Sequence, residues 1–259
     1  MVKRAVKSGV RVVTAPFLRH KSIAKWPAWL GQIHGVKVIK SIVPQQQPAP
    51  TGEANLNILI QMIERTRELP GEIADVGAYR GEATLAMGLY LRERGIRKTV
   101  FGFDSFEGFK KESVIEDLKV SGASADVERR VRRFQETSLT EVSRKASRLK
   151  LTNVQFVPGY FSQSFPAFPP ETRFCFTHID VNLYSSYKEG LEFVYPRTVA
   201  YGVILFDEYN DPPWPGCNKA VDEFLADKPE KLQEISRDNY QKWFLVKRPE
   251  NSPQISQAG

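Results

Sequence analysis

Cysteine and histidine are scarce in this chain, with two and three copies in 259 residues. Cys175 and Cys217 lie on separate segments without metal-ligand spacing, which excludes a disulfide framework and a structural zinc site. Both are expected to be small buried side chains. Long apolar runs are also missing: "YGVILF" (201–206) falls far short of the roughly 18 residues that a membrane helix needs. No span is expected. The first forty residues contain no Asp or Glu, and they lack the apolar block and small-residue cleavage site of a secretory signal. A cytoplasmic location is the expectation.

The composition that remains, 41% hydrophobic and 26% charged, describes a soluble globular chain long enough for one large domain with an extension. The net charge of +7 argues about partners and not about fold. Much of it lies in the N-terminal segment and in "ERRVRRF" (128–134). Residues 1–51 read as a basic extension closed by a Pro/Gln linker, "PQQQPAPTG". A helical extension packed on the domain or on a second subunit is expected, the latter giving a homo-oligomer, with attachment to a membrane surface or RNA as the alternative. Residues 52–248 are expected to form the main domain and 249–259 a flexible tail.

Within the domain, strand and helix signals alternate. "NLNILIQMIERTRELPG" has helical apolar spacing and stops at Pro-Gly. "EIADVGAY" is strand-like, "EATLAMGLYLRERG" helical, "KTVFGFDSF" strand-like, and 111–150 charged and helical. Strands follow at "VQFVPGYF", "RFCFTHIDV" and "YGVILFDEY", with helices at "SYKEGLEFVYP" and "GCNKAVDEFLAD". A final pair of strands is read at "LQEISR" and "QKWFLVKR". Continuous apolar strands separated by helices imply a doubly wound α/β sheet, mostly parallel and covered on both faces, whose ligands bind at the C-terminal strand ends.

Three strand ends carry candidate chemistry. "ADVGAYRGEAT" places Gly77 and Gly81 in a turn entering a helix, where a ligand can approach the backbone; the motif alone is equally a tight structural turn. "GFDSFEGF" ends the second strand with Asp104, an acid placed to accept ribose hydroxyls. "HIDVNLYSS" and "VILFDEYNDPPWPG" end two further strands in acids. Asp180, Asp207 and Glu208, without a thiol or imidazole among them, make a hard oxygen set suited to Mg²⁺. A helix cap or a solvated strand end is the plain reading of the last two. His178 shares a face with Asp180 by period-two alternation and reads as a satisfied core histidine. Tyr209 and Trp214 either wall an acceptor pocket or order their loop, and Asp211 belongs to that loop.

"DVGAYRGEAT", "FDSFEGF", "FVPGYF", "HIDVNLYSS", "DEY" and "CNKAVDEF" occur in the order found in one family. The chain resembles the macrocin O-methyltransferase (TylF-like) family of class I S-adenosylmethionine-dependent methyltransferases over roughly 52–248. The resemblance implies a seven-stranded Rossmann-like sheet and S-adenosylmethionine as donor. Asp75, Gly77, Tyr79, Arg80 and Gly81 would surround its methionine part. Asp104 would hold the ribose, flanked by Ser105 and Phe106, and Tyr160 and Phe161 would lie near the adenine. Asp180 would touch the donor side, accept the acceptor's proton and join Asp207 and Glu208 around Mg²⁺. The acceptor would be a hydroxyl of a small molecule such as a sugar or natural-product scaffold, with no nucleic acid involved. Two departures stand out. Asp207-Glu208 replaces the common Asp-Asp pair, and "DVNLYSS" replaces the frequent "DGDLYES", leaving Asn182 and Ser185 where acids are often found. An RNA methyltransferase and a nucleoside-binding scaffold without catalysis are the alternatives.

Overall fold

The structure is a computed structural model, in which residues 53–237 and 240–249 are described. The basic extension and linker, the oligomer contact assigned to them, and the tail beyond 249 lie outside these residues. Helix α1 (Glu53–Thr66) precedes strand β1 (Glu72–Val76), helix α2 (Glu82–Glu93) and strand β2 (Val100–Asp104). The charged stretch after β2 divides into α3 (Lys111–Ser121), α4 (Val127–Val131) and α5 (Leu139–Arg148). Then come β3 (Val154–Pro158), α6 (Phe161–Ala167), β4 (Phe174–Ile179), α7 (Tyr184–Val194) and β5 (Thr198–Phe206). Helix α8 (Pro215–Leu225) and strands β6 (Gln233–Arg237) and β7 (Tyr240–Val246) complete the domain.

The strands form one seven-stranded sheet in the order β3-β2-β1-β4-β5-β7-β6. Strands β1 to β5 pair in parallel, and β7 runs antiparallel to both β5 and β6. The doubly wound, mostly parallel sheet expected from the alternating pattern is therefore present. β4 is buried along its whole length and β1 over four of five positions, because helices cover both faces. Among the described residues, no helix is long and apolar enough to cross a membrane.

Period-two alternation sorts the strand side chains into two cores. Ala74, Val76, Phe103, Ile179, Ile204 and Phe206 pack under α6, α7 and α8. Ile73, Phe176, Val203 and Leu205 pack under α1 and α2 on the other face. The first core is aromatic: Phe103, fully buried, meets Phe165, Phe168, Phe174 and Phe193 with ring centroids 5.0 to 6.5 Å apart. Each such side chain contributes about 1.5–3 kcal/mol on burial. The C-terminal ends of β1, β2, β4 and β5 lie on the same edge of the parallel sheet, where the chain leaves it through loops.

Candidate active site

The loop after β1 is shaped by a close approach. Gly77 has φ 96°, and a Cβ there would lie 1.9 Å from the carbonyl oxygen of Asp180. Only glycine fits, so the β1 and β4 ends come together. The neighbouring contacts agree: Gly77 N–H donates to Phe103 O and Asp180 N–H to Val76 O, both at 2.8 Å. Beyond Gly77, Tyr79 and Gly81 also have positive φ, as does Phe106 after β2. Asp104 holds this arrangement. Its Oδ2 accepts the Tyr79 N–H at 2.8 Å and its Oδ1 the Phe106 N–H at 2.7 Å. Burial raises the Asp104 pKa above its ordinary value, against the opposing pull of those two N–H groups. Left-handed backbone at non-glycine residues costs about 1–3 kcal/mol each and concentrates at functional sites.

The other residues expected around the donor are distributed around this mouth. Arg80 lies 5.0 Å from the Tyr79 ring and donates to Glu136 O, while the Tyr79 hydroxyl donates to Glu136 Oε2 at 3.1 Å. Ser105 Oγ ties the turn, accepting from Glu107 N–H and donating to Gly108 O. Phe106 is buried with Ala78 and Val142. Tyr160 precedes α6 with the Lys110 ammonium 4.4 Å from its ring centre. Two expected residues turn inward instead. Phe161 stacks on Phe165 of the core at 4.7 Å, and Asp75 is fully buried, accepting from Thr84 Oγ1 and facing His178 Nδ1 at 2.8 Å.

The acids after β4 and β5 do adjoin, because Ile179 is opposite Phe206 in the parallel pair. The alternation of β5 then separates the consecutive residues Asp207 and Glu208. Asp207 follows Leu205 toward the α1 side. Its Oδ1 receives Lys242 Nζ at 2.7 Å, Asn55 Nδ2 at 3.1 Å and His178 Nε2 at 3.3 Å. Glu208 follows Phe206 toward α7 and is 2% exposed. There Oε1 accepts the Asn182 N–H at 3.1 Å and Asn182 Nδ2 at 2.7 Å, and Oε2 meets the Tyr187 hydroxyl. That hydroxyl also lies 3.1 Å from Ile179 O and accepts the Glu208 N–H at 3.3 Å. One phenolic proton cannot serve two acceptors at once. The set is completed when Glu208 keeps its own proton.

The two acids are correspondingly driven apart. Burial would raise Asp207, but Lys242 and His178 hold it well below the usual carboxylate range. Burial, together with the charges of Asp180 and Asp207, pushes Glu208 well above it. Burial alone would lower His178, but its bonds to Asp207 and Asp75 and their charges push it up to about 10. Asp180, half-buried at the opening, is raised to about 6 by burial and by the Asp207 charge. Its environment suits a group that exchanges a proton near neutrality. Asp211 is in the loop as expected, bonded through its backbone to Glu208 O and Trp214 N–H. Trp214 is buried, with Arg130 and Arg133 each 4.8 Å from its ring centre, and the Tyr209 hydroxyl donates to Asp222.

Whether these residues fit a divalent cation follows from their donors. His178, Asp180 and Asp207 each offer an atom within 4.8 Å of the others. Both His178 nitrogens, however, face carboxylate oxygens, and Asp207 Oδ1 already meets three donors including an ammonium. Glu208 is engaged by Asn182, by the Tyr187 hydroxyl and by the Asp180 carboxyl group. Mg²⁺ asks for near-octahedral oxygen at about 2.0–2.1 Å, and this set does not present the open group of three carboxylates that the resemblance implied. Lys242, Asn55 and Tyr187, which complete the site, carry no motif. The Asp207/Glu208 split alone had a signal, their being consecutive at a strand end.

The profile of one protein family, macrocin O-methyltransferase (TylF), matches residues 40–243. The chain belongs to this family. The matched region begins at residue 40, within the segment 1–51 read as extension and linker. Demethyldecarbamoylnovobiocin O-methyltransferase of Streptomyces niveus is 31% identical over 180 residues, spanning 66% of this chain and 64% of that protein. The 8-demethyl-8-(2,3-dimethoxy-alpha-L-rhamnosyl)-tetracenomycin-C 4'-O-methyltransferase of Streptomyces olivaceus is 27% identical over 164 residues, 60% of this chain and 58% of that one. The chain thus spans under two thirds of the length of both relatives. Among solved structures, the O-methyltransferase NovP superposes with a TM-score of 0.64 and 28% identity, covering 76% of this chain and 81% of its own.

Proposed function

We propose that this chain transfers a methyl group from S-adenosylmethionine to a hydroxyl of a small acceptor, a sugar or a glycosylated natural-product scaffold. Membership of the TylF family and the names of its relatives support the reaction class. The observation that carries the reading is the placement of Asp180, half-buried at the end of β4 against the Gly77 turn, with a pKa raised to about 6. The Gly77–Gly81 turn takes the donor's methionine part, and Arg80 lies at its edge. Asp104, its carboxylate plane fixed by two backbone N–H groups, keeps lone pairs for the ribose hydroxyls, with Ser105 and Phe106 beside it. Tyr160 lies toward the adenine. Asp75 and Phe161 act behind this surface, by orienting His178 and by packing.

The chemistry is a displacement at the sulfonium methyl. The acceptor oxygen forms the new O–C bond as the C–S bond breaks, its proton passes to Asp180, and S-adenosylhomocysteine leaves. Alignment of acceptor oxygen and methyl is the enzyme's main contribution. No step is assigned to a divalent ion. Calorimetry with S-adenosylmethionine and S-adenosylhomocysteine tests the donor half, and absence of binding sinks the reading. In a panel of diols and glycosides, Asp180→Ala is expected to abolish turnover while donor affinity stays within about tenfold of wild type. Unchanged turnover removes Asp180 from its role.

A further inference from the structure

We infer that the Lys242 ammonium stands in for the divalent cation at the Asp180/Asp207 mouth, so that this site works without a bound metal ion. The placement comes from the sheet. Phe206 of β5 is opposite Trp243 of antiparallel β7, and one step onward along both strands Lys242 meets Asp207. Lys242 is 4% exposed. Its Nζ lies 2.7 Å from Asp207 Oδ1 and 2.5 Å from Asp207 O, with the Tyr240 ring centre at 4.7 Å. An ammonium held by a carboxylate, a carbonyl and an aromatic face inside the sheet is a fixed internal charge, not a surface lysine that has folded over.

A metal ion would have to coexist with it. The ligand atoms left are those of Asp180 and Oδ2 of Asp207, since Asp207 Oδ1 meets three donors, both nitrogens of His178 face carboxylates, and Glu208 is engaged with Asn182 and Tyr187. A dication on those oxygens would stand within a few ångströms of a buried ammonium on the same carboxylate, where repulsion is weakly screened. Lys242 already supplies positive charge to the place where the acceptor's hydroxyl loses its proton. It acts through Asp207 and is a positioning residue. This inference rests on the methyl-transfer reading for that consequence, while the exclusion of the metal rests on the residues alone.

The test uses the full chain saturated with S-adenosylhomocysteine and Mn²⁺ as the probe, read by the loss of the free-ion electron paramagnetic resonance signal. Wild type is expected to leave the signal unchanged at millimolar Mn²⁺. Lys242→Met, which removes the competing ammonium from Asp207, is expected to bind one ion at least about tenfold more tightly than wild type, and Lys242→Arg to behave as wild type. Lys242→Gln replaces the Met variant if melting shows that the latter does not fold. Tight Mn²⁺ binding by wild type overturns the inference. So does a folded Met or Gln variant that binds no more metal than wild type, because the ammonium is then not what excludes it. Failure to bind S-adenosylhomocysteine strikes the methyl-transfer reading instead, and the Mn²⁺ comparison without it still decides the role of Lys242.

Discussion

Asp207 and Glu208 are neighbours in the chain and opposites in the fold. One faces α1 and meets an ammonium, an imidazole and an amide. The other faces α7 and meets a phenol and the Asn182 amides. The first environment stabilises a carboxylate and the second a carboxylic acid. Adjacent acids at a strand end are thus not a ready-made pair of ligands, because the sheet sends successive side chains to different solvents.

The largest effect is expected at Asp207. Asp207→Asn leaves the buried Lys242 and His178 without their shared anion, and is expected to cost about 3–5 kcal/mol in chemical denaturation. A loss under 1 kcal/mol in the same experiment would show that the cluster is not an ion pair network. Next is Tyr187→Phe, which leaves the Glu208 carboxyl group and the Ile179 carbonyl each short of a partner and is expected to cost about 1–3 kcal/mol. Smallest is Glu208→Gln: an amide replaces a neutral acid of the same shape, so denaturation midpoints are expected to move by less than about 1 kcal/mol. A large loss there would mean that Glu208 is ionised after all.

The two faces also differ in the sign of their pH dependence. Asp207 is held below its unfolded value of 3.8, so its contribution is complete above that pH and is lost on acidification. Glu208 is held above its unfolded value of 4.5, so its contribution is complete below it and is lost as pH rises through the folded value. His178 behaves like Glu208 in sign: its contribution is complete below 6.5 and is lost as pH rises through about 10. Melting temperatures measured from pH 7 to 10 should therefore fall more steeply for wild type than for His178→Gln. Parallel curves would remove the imidazole from the balance.

Much of the mouth formed by the loops after β1 and β2 was legible in the sequence. Gly77, Asp104 and the order of strands follow from local patterns, since a tight turn, a strand-end acid and an apolar run each declare themselves within a few residues. Even there the inward turns of Asp75 and Phe161 have no sequence signal, because position in a motif does not say which way a side chain points. The acids after β4 and β5 were less legible. The adjacency of Asp180 and Asp207 follows from the pairing of β4 with β5, and the opposite facing of Glu208 from period-two alternation at the end of β5. Lys242 and Asn55 come from segments far from Asp207 in the chain, and neither sits in a recognisable pattern. Only the antiparallel register of β7 against β5, and the packing of α1 on the sheet, bring them to it.

The sequence by itself determined the parallel sheet, the glycine turn and the acids at the strand ends, because periodicity, φ preference and strand polarity are properties of short stretches of chain. The tertiary structure alone decided which of those acids is charged. That depends on the ammonium, imidazole or phenol placed against each one in a dry interior, and their arrival is set by the pairing of distant strands.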